Sequence, residues 1–239
     1  MEIINKLLNY RDLKIVQNTD WFAFSLDSVL LANFVSINKN TKKIIDLCTG
    51  NAPIPIILST KTKAKIIGVE LQEEIYDLAQ KSVNINKLDD RIKLLNMDVK
   101  DLYNKYGTDT FDIITCNPPY FKVSENSNLN DNKIKTIARH EIYLDLKDIF
   151  SLSKKILKNN GTISIVHRPE RLIEIIEIMK NNNIEPKKIQ FVYPKKNSEC
   201  NILLIEGVKN GNPGLKILPP LYVHDEEGHY LDEINDMFQ

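Results

Sequence analysis

Lys43-Ile44-Ile45-Asp46-Leu47-Cys48-Thr49-Gly50-Asn51-Ala52-Pro53 is the stretch on which the fold turns. A short run rich in β-branched residues, Ile44 to Leu47, is broken by one carboxylate and passes straight into small residues and a proline. Such a run reads as a strand buried on both faces. The small residues after it make a tight turn into a helix, and a turn of that kind lets backbone approach a ligand closely. Taken alone, the same residues read equally well as a plain strand-to-helix turn.

The pattern recurs outward from this point. Lys65–Glu70, Arg91–Asp98, Phe111–Cys116 and Thr162–His167 are further short apolar runs. Helix-length segments lie between them. Glu73 to Lys87 carries Ile75, Leu78, Ala79, Val83 and Ile85 close to one helical stripe. Leu146–Leu157 and Pro169–Met179 look similar, the latter with proline at a first helical position. Strands alternating with helices predict an α/β fold with a doubly wound, mostly parallel sheet, and ligands at the carboxyl ends of its strands. Two late runs, Ile189–Tyr193 and Asn201–Glu206, fit a hairpin around Pro194–Ser198 that adds a C-terminal antiparallel strand. Residues 1–40 are an N-terminal extension with a helix expected from Asp27 to Val35 and Ser25 as its cap. Residues 41–239 form the main domain, with no linker dividing it. Residues 122–138 are polar and asparagine-rich and read as a loop.

Composition narrows the function classes. A 42% hydrophobic, 27% charged chain is ordinary for a globular protein. No apolar run approaches the roughly 18 residues of a membrane span, and the N-terminus lacks a signal-peptide pattern. A cytoplasmic protein with no membrane association is the expectation. Cys48, Cys116 and Cys200 are too scattered for a disulfide framework or a metal site. The four histidines show no ligand spacing, so no metal is expected. The formal net charge of zero argues against strong non-specific nucleic-acid binding. Local groups remain: Lys187, Lys188, Lys195, Lys196 and Lys209; Lys154, Lys155 and Lys158; Arg168 and Arg171. They could contact phosphate or simply be solvated faces.

The strand ends carry the chemistry. Glu70 closes the second run, twenty-four residues after Asp46, near the roughly 20-residue spacing of a nucleotide-binding βαβ unit. A carboxylate there can accept hydrogen bonds from both ribose hydroxyls; it can also be a solvated strand end. Asp98, after Met97, can accept from an adenine amino group or cap a helix over Val99–Tyr106. The fourth run delivers Asn117-Pro118-Pro119-Tyr120. Two prolines stiffen the turn, so the Asn117 side-chain oxygen and the Pro118 carbonyl can face one point. Two converging acceptors suit an amino group, and Tyr120 offers a ring on which a base or amide can stack.

These four features, in this order, resemble the class I S-adenosylmethionine-dependent methyltransferases over roughly residues 40 to 207. The resemblance implies a Rossmann-like, seven-stranded methyltransferase fold with S-adenosyl-L-methionine as cofactor. It implies that Asp46, Cys48, Thr49, Gly50, Asn51 and Ala52 hold the methionine part. Glu70 and Leu71 would serve the ribose, and Met97, Asp98 and Val99 the adenine, with Asn117 bordering the cofactor. Asn117, Pro118, Pro119 and Tyr120 match the catalytic motif of amino-methylating members, which work by direct displacement without a metal or a separate strong base. Cys48 and Ala52 depart from the family's glycine-rich loop.

Further stretches narrow the amine: Phe22–Ala32, Ala138–Glu141, Asn201–Gly207, Pro219–His224 and Gly228–Tyr230. Together they resemble the bacterial tRNA1(Val) (adenine(37)-N6)-methyltransferases, which modify adenine 37 beside the anticodon of a valine tRNA. That resemblance implies tRNA as partner, Asp27 near the cofactor with the N-terminal extension packing there, and Tyr120, Phe121, Arg139 and His140 near the substrate. No obligate protein partner is evident. A guanine-N2 rRNA enzyme, a protein glutamine-N5 enzyme and a silent nucleotide-binding module are the alternatives. Tyr120 in place of phenylalanine argues against the first, the short segment before the first strand against the second, and the intact Glu70, Asp98 and Asn117–Tyr120 set against the third.

Overall fold

A computed structural model describes residues 1–7, 12–21, 25–120 and 144–238 of the chain. It opens with β1 (Glu2–Lys6), β2 (Lys14–Asn18) and α1 (Leu26–Phe34). The alternating core follows: β3 (Lys43–Leu47), α2 (Pro53–Lys61), β4 (Lys65–Glu70), α3 (Glu73–Ile85), β5 (Ile92–Asn96), α4 (Leu102–Tyr106), β6 (Phe111–Cys116), α5 (Leu146–Ile156), β7 (Leu157–His167) and α6 (Leu172–Asn181). It ends with β8 (Ile184–Lys195), β9 (Ile202–Lys209), β10 (Lys216–Ile217), β11 (Leu221–His224) and α7 (Asp232–Asp236).

Seven strands run β5-β4-β3-β6-β7-β9-β8 across the sheet. The first five are mutually parallel, and β9 is antiparallel to both of its neighbours. This is the expected α/β sheet with its late hairpin. Two further short strands raise the count among the described residues to nine: β10 and β11 both pair with β8 in parallel. They cover an edge that would otherwise present a long row of unpaired backbone groups. Pro219 and Pro220, lying between them, cannot donate to a ladder, so the covering splits into two short pieces.

Period-two alternation sorts the core. Ile44, Ile113 and Val166 point to one face, against α1, α2, α3 and α7. Ile45, Ile114 and Ile165 point to the other, against α4, α5 and α6. Each strand is therefore apolar on both sides, which is why the runs read as continuous in sequence. α6 is preceded by a 3-10 turn, Pro169–Arg171, and α4 by another, Val99–Asp101.

The N-terminal extension holds more than the expected helix, because β1 and β2 form an antiparallel pair. β2 then docks on α3. Val16 N–H donates to Ser82 Oγ at 2.9 Å, while the Asn86 side chain accepts from Lys14 N–H (2.9 Å) and donates to Lys14 O (2.7 Å). Val16, Ile75 and Leu78 close a small apolar cluster with Trp21. Among the described residues, no helix is long and apolar enough to cross a membrane. Among those residues, no group of three or more His, Cys, Asp or Glu side chains is placed to hold a metal ion. The three cysteines are free thiols.

Candidate active site

The chain leaves β3 for β4 and β5 on one side and returns to β6 on the other. That reversal opens a crevice beyond the carboxyl ends of β3 and β6. The loop 48–52, Glu70, Asp98 and Asn117–Tyr120 all follow or end strands at this end of the sheet.

The loop after β3 keeps a glycine-like path although two of its three glycine positions carry side chains. Cys48, Gly50 and Ala52 have φ of +56°, +57° and +71°. A left-handed residue other than glycine costs about 1–2 kcal/mol, and neighbouring contacts offset it. Thr49 N–H donates to Val69 O (2.9 Å), Ala52 N–H to Thr49 O (3.0 Å) and Gly50 N–H to Glu70 Oε2 (3.0 Å). Pro53 starts α2, where a missing N–H costs nothing.

Asp46 is 0% exposed. Its Oδ1 accepts from the Thr115 hydroxyl at 2.5 Å and its Oδ2 from the Thr49 hydroxyl at 2.6 Å. Burial pushes its carboxyl up to about 7, against the lowering effect of the two hydroxyls. Its contribution to the crevice therefore passes through Thr49 and the loop it anchors. Gly68 leaves room for this, because a Cβ there would lie 2.8 Å from Thr49 Oγ1. Asn51 is likewise committed inward, its Nδ2 donating to Val16 O at 2.9 Å.

Glu70 ends β4 and is 8% exposed. Oε1 accepts from Gln72 N–H and Oε2 from Gly50 N–H, both at 3.0 Å. Burial raises its pKa above the usual carboxylate value, and these backbone bonds work against that rise. Each oxygen keeps a second lone pair for a ligand hydroxyl. Asn96 pins the strand end through Glu70 O (3.1 Å) and Leu71 O (3.0 Å). Leu71 is 40% exposed beside it, an apolar surface suited to a nucleoside. Asp98 caps the Val99–Asp101 turn, Oδ1 accepting from Lys100 N–H at 2.9 Å. Val99 is buried, and Met97 packs partly buried against the same apolar cluster.

Beyond β6, Asn117 Nδ2 donates to Ser28 Oγ on α1 (3.2 Å), and its oxygen faces Tyr120. Tyr120 Oη lies 2.7 Å from Asn117 Oδ1 and 2.7 Å from Asp27 Oδ2. Burial and then the Asp27 charge push the phenol well above its usual value, so it remains a donor. The ring packs against His167, with centroids 5.2 Å apart, and lies 5.2 Å from Arg168 Cζ. It is therefore not an open stacking face in this arrangement. His167 is fully buried. Its Nδ1 accepts from Arg168 N–H (2.8 Å), and its Nε2 has no partner among the described residues. Burial, then the Arg171 charge, push it down to about 4, so the imidazole is neutral.

Ser28, Thr115 and His167 belong to this neighbourhood although no motif marked them. Thr115 and His167 did leave a signal, as polar residues inside or ending apolar runs. Phe121, Arg139, His140 and the segment 122–138 that the sequence reads as a loop lie outside the described residues. Several of the basic residues weighed for phosphate contact are committed to the fold. Lys188 donates to Phe34 O and Ser36 Oγ, Lys209 to Leu157 O and Asp109, and Lys158 pairs with Asp112.

A tRNA1(Val) (adenine(37)-N6)-methyltransferase of Flavobacterium psychrophilum is 24% identical over 84% of this chain and 91% of its own. A protein of the same name from Shewanella woodyi is 27% identical over 67% of this chain, which spans 65% of that relative. Among solved structures, a "predicted O-methyltransferase" from Agrobacterium tumefaciens superposes with a TM-score of 0.71 at 20% identity, covering 89% of this chain and 95% of the other. A geranyl diphosphate methyltransferase solved with sinefungin gives 0.58 at 13% identity, over 76% and 77%. These structural likenesses carry the fold. The pattern described as "Methyltransferase small domain" matches residues 26–185, from α1 into β8 and so across both the loop after β3 and the Asn117–Tyr120 motif. By that match the chain belongs to the methyltransferase small domain family.

Proposed function

We propose that this chain transfers a methyl group from S-adenosyl-L-methionine to the exocyclic N6 of an adenine in tRNA, at adenine 37 of a valine tRNA. The names of its relatives support this substrate. The observation that carries the chemistry is the Asn117 amide, oriented by Ser28 so that its oxygen receives a donor at 2.7 Å beside the crevice. An acceptor held this way suits an N–H of an amine and does not itself attack.

The residues present fit the cofactor. Glu70 is aimed by two backbone amides and retains lone pairs for two vicinal hydroxyls. Leu71, Met97 and Asp98 follow at the neighbouring strand ends, offering apolar surface and an acceptor for a purine. The loop 48–52 brings backbone close to a ligand along its left-handed path. When bound, the cofactor supplies an electrophilic methyl group. The chain's own part is to hold the base, turn the nitrogen lone pair toward that methyl and exclude water, and such preorganisation supplies most of the rate. A tRNA loop offers the unstacked base such a pocket needs. A tRNA substrate also implies a cytoplasmic site of action.

The test is direct. Purified protein, methyl-labelled S-adenosylmethionine and unmodified tRNA are incubated, and the RNA is digested to nucleosides. Label in N6-methyladenosine is expected. Label in N2-methylguanosine, or in protein glutamine and not in RNA, would overturn the substrate reading.

A further inference from the structure

We infer that His167 reads the target base: its Nε2–H donates to the ring nitrogen, N1 or N7, that flanks the amino group of the adenine. The inference deepens the adenine-N6 reading and rests on it.

Two independent observations meet at this side chain. The first is its position. Cys116 on β6 and Ile165 on β7 are register partners, so the two strands run on level with one another, one strand spacing of about 4.8 Å apart. Two residues further along, the first chain has reached Pro118 of the Asn117–Tyr120 turn and the second has reached His167. The imidazole lies against the Tyr120 ring, with centroids 5.2 Å apart and planes inclined at 57°. A base carried on Tyr120 therefore has His167 at its edge.

The second observation is a donor left over. His167 is 0% exposed. Its Nδ1 accepts the Arg168 N–H at 2.8 Å, so the neutral ring carries its hydrogen on Nε2. Nothing among the described residues receives that hydrogen. Turning the ring over brings no relief, because it takes Nδ1 away from the Arg168 amide and leaves a backbone donor unpaired instead. A buried donor without an acceptor is costly and rare in folded proteins. A ligand that brings the acceptor recovers that cost when it binds.

Adenine brings it. On either side of N6 stands a ring nitrogen with a lone pair and no hydrogen, N1 on one edge and N7 on the other. Guanine carries a hydrogen on N1, so a guanine presenting that edge sets donor against donor. A site with a buried hydrogen-bonding group rejects a base that cannot pair with it. His167 neither receives the amine nor takes its proton. Burial and then the Arg171 charge push its pKa down to about 4, so at neutral pH the ring is a fixed donor. Its task is selection and alignment, separate from that of the acceptors that meet the amino group.

The experiment deletes the acceptor from the base and the donor from the protein. Three forms of the tRNA are built, with adenosine, 1-deazaadenosine or 7-deazaadenosine at the methylated position. Single-turnover methyl transfer is measured for wild type, His167→Phe and His167→Gln, beside the affinity for S-adenosylhomocysteine. Wild type should lose about tenfold or more with one of the two analogues, the worth of one hydrogen bond to a buried donor, and the analogue that fails identifies the nitrogen. His167→Phe should lose a similar factor on adenosine and nothing further on that analogue. His167→Gln, which retains an N–H, should recover part of the adenosine rate, and cofactor affinity should hold in both variants. Wild-type rates on both analogues would overturn the inference whatever the variants do. So would a full adenosine rate in His167→Phe, or an analogue penalty as large in His167→Phe as in wild type, which would mean that the imidazole acts by packing alone. Failure of the wild type to methylate any adenosine is a failure of the substrate reading; it appears before a variant is made and removes this inference with it.

Discussion

Thr115 donates its hydroxyl to Asp46 across 2.5 Å, and the two are register partners on β6 and β3. The strand that feeds the loop 48–52 is thus fastened, by a fully buried polar contact, to the strand that delivers Asn117. Thr49 occupies the other carboxylate oxygen at 2.6 Å, so one side chain ties loop, β3 and β6 together.

That carboxylate makes stability depend on pH in a predictable direction. Its folded pKa, about 7, stands above the ordinary 3.8. Above 3.8 the unfolded chain loses the proton that the folded chain keeps, so the stability associated with Asp46 is full below 3.8 and lost as pH rises through about 7. His167 works in the opposite sense. Its folded value of about 4 lies below the ordinary 6.5, so its contribution is full above 6.5 and lost as pH falls toward 4. Asp46→Asn should therefore flatten the loss between pH 4 and 7, and His167→Gln should flatten the opposing acid-side loss. Denaturant unfolding across that range checks both. An unchanged pH slope in Asp46→Asn would mean that its carboxyl titrates normally in the folded protein.

Gly68 is the second place where this knot can be tested. A methyl group there would lie 2.8 Å from both Thr49 Oγ1 and Leu94 Cδ2. Gly68→Ala must displace Thr49 and strand one buried carboxylate oxygen. A loss of about 1–3 kcal/mol is expected from overpacking alone, together with weaker cofactor binding as the loop shifts. Wild-type stability and cofactor affinity in this variant would show that Thr49 can move without consequence.

Much of the frame is legible in the sequence because its cause is local. Runs such as Phe111–Cys116 and Lys65–Glu70 are apolar on both faces, and their polar ends coincide with the crevice. What escapes is what depends on distant partners. Asp46 and Thr115 are 69 residues apart, and spacing cannot show that the carboxylate turns inward. Asn51 commits its amide to Val16, 35 residues earlier. β1 is largely exposed, and its strand state comes from pairing with β2 more than from a buried pattern. Tyr120 reads as a stacking ring from its motif, yet its hydroxyl reaches Asp27, 93 residues away, and carries the ring against His167.

Asn51→Ala tests how firmly the N-terminal pair is held. The substitution leaves a buried Val16 carbonyl without that donor. A cost of about 1–3 kcal/mol is expected, with faster amide exchange in β1 and β2 than in the central strands. Exchange that stays slow there would show that Ser82 and Asn86 suffice to dock the pair.

Asn117 and Ser28 should separate by rank. Asn117→Ala removes the acceptor proposed to meet the amine, and turnover should fall about 100-fold or more, the scale of losing one preorganised polar contact. Ser28→Ala leaves the acceptor in place but frees the amide to rotate, because Ser28 Oγ is the group that receives its N–H at 3.2 Å. A loss nearer about tenfold is expected, the worth of one ordinary hydrogen bond. In both variants the affinity for S-adenosylhomocysteine should hold, since the loop and Glu70 remain as they were. Single-turnover methyl transfer to tRNA, read beside calorimetric binding, gives the two quantities separately. Equal losses in the two variants would mean that Asn117 works only when Ser28 aims it. A near-normal rate in Asn117→Ala would remove the side-chain oxygen from the amine's position altogether.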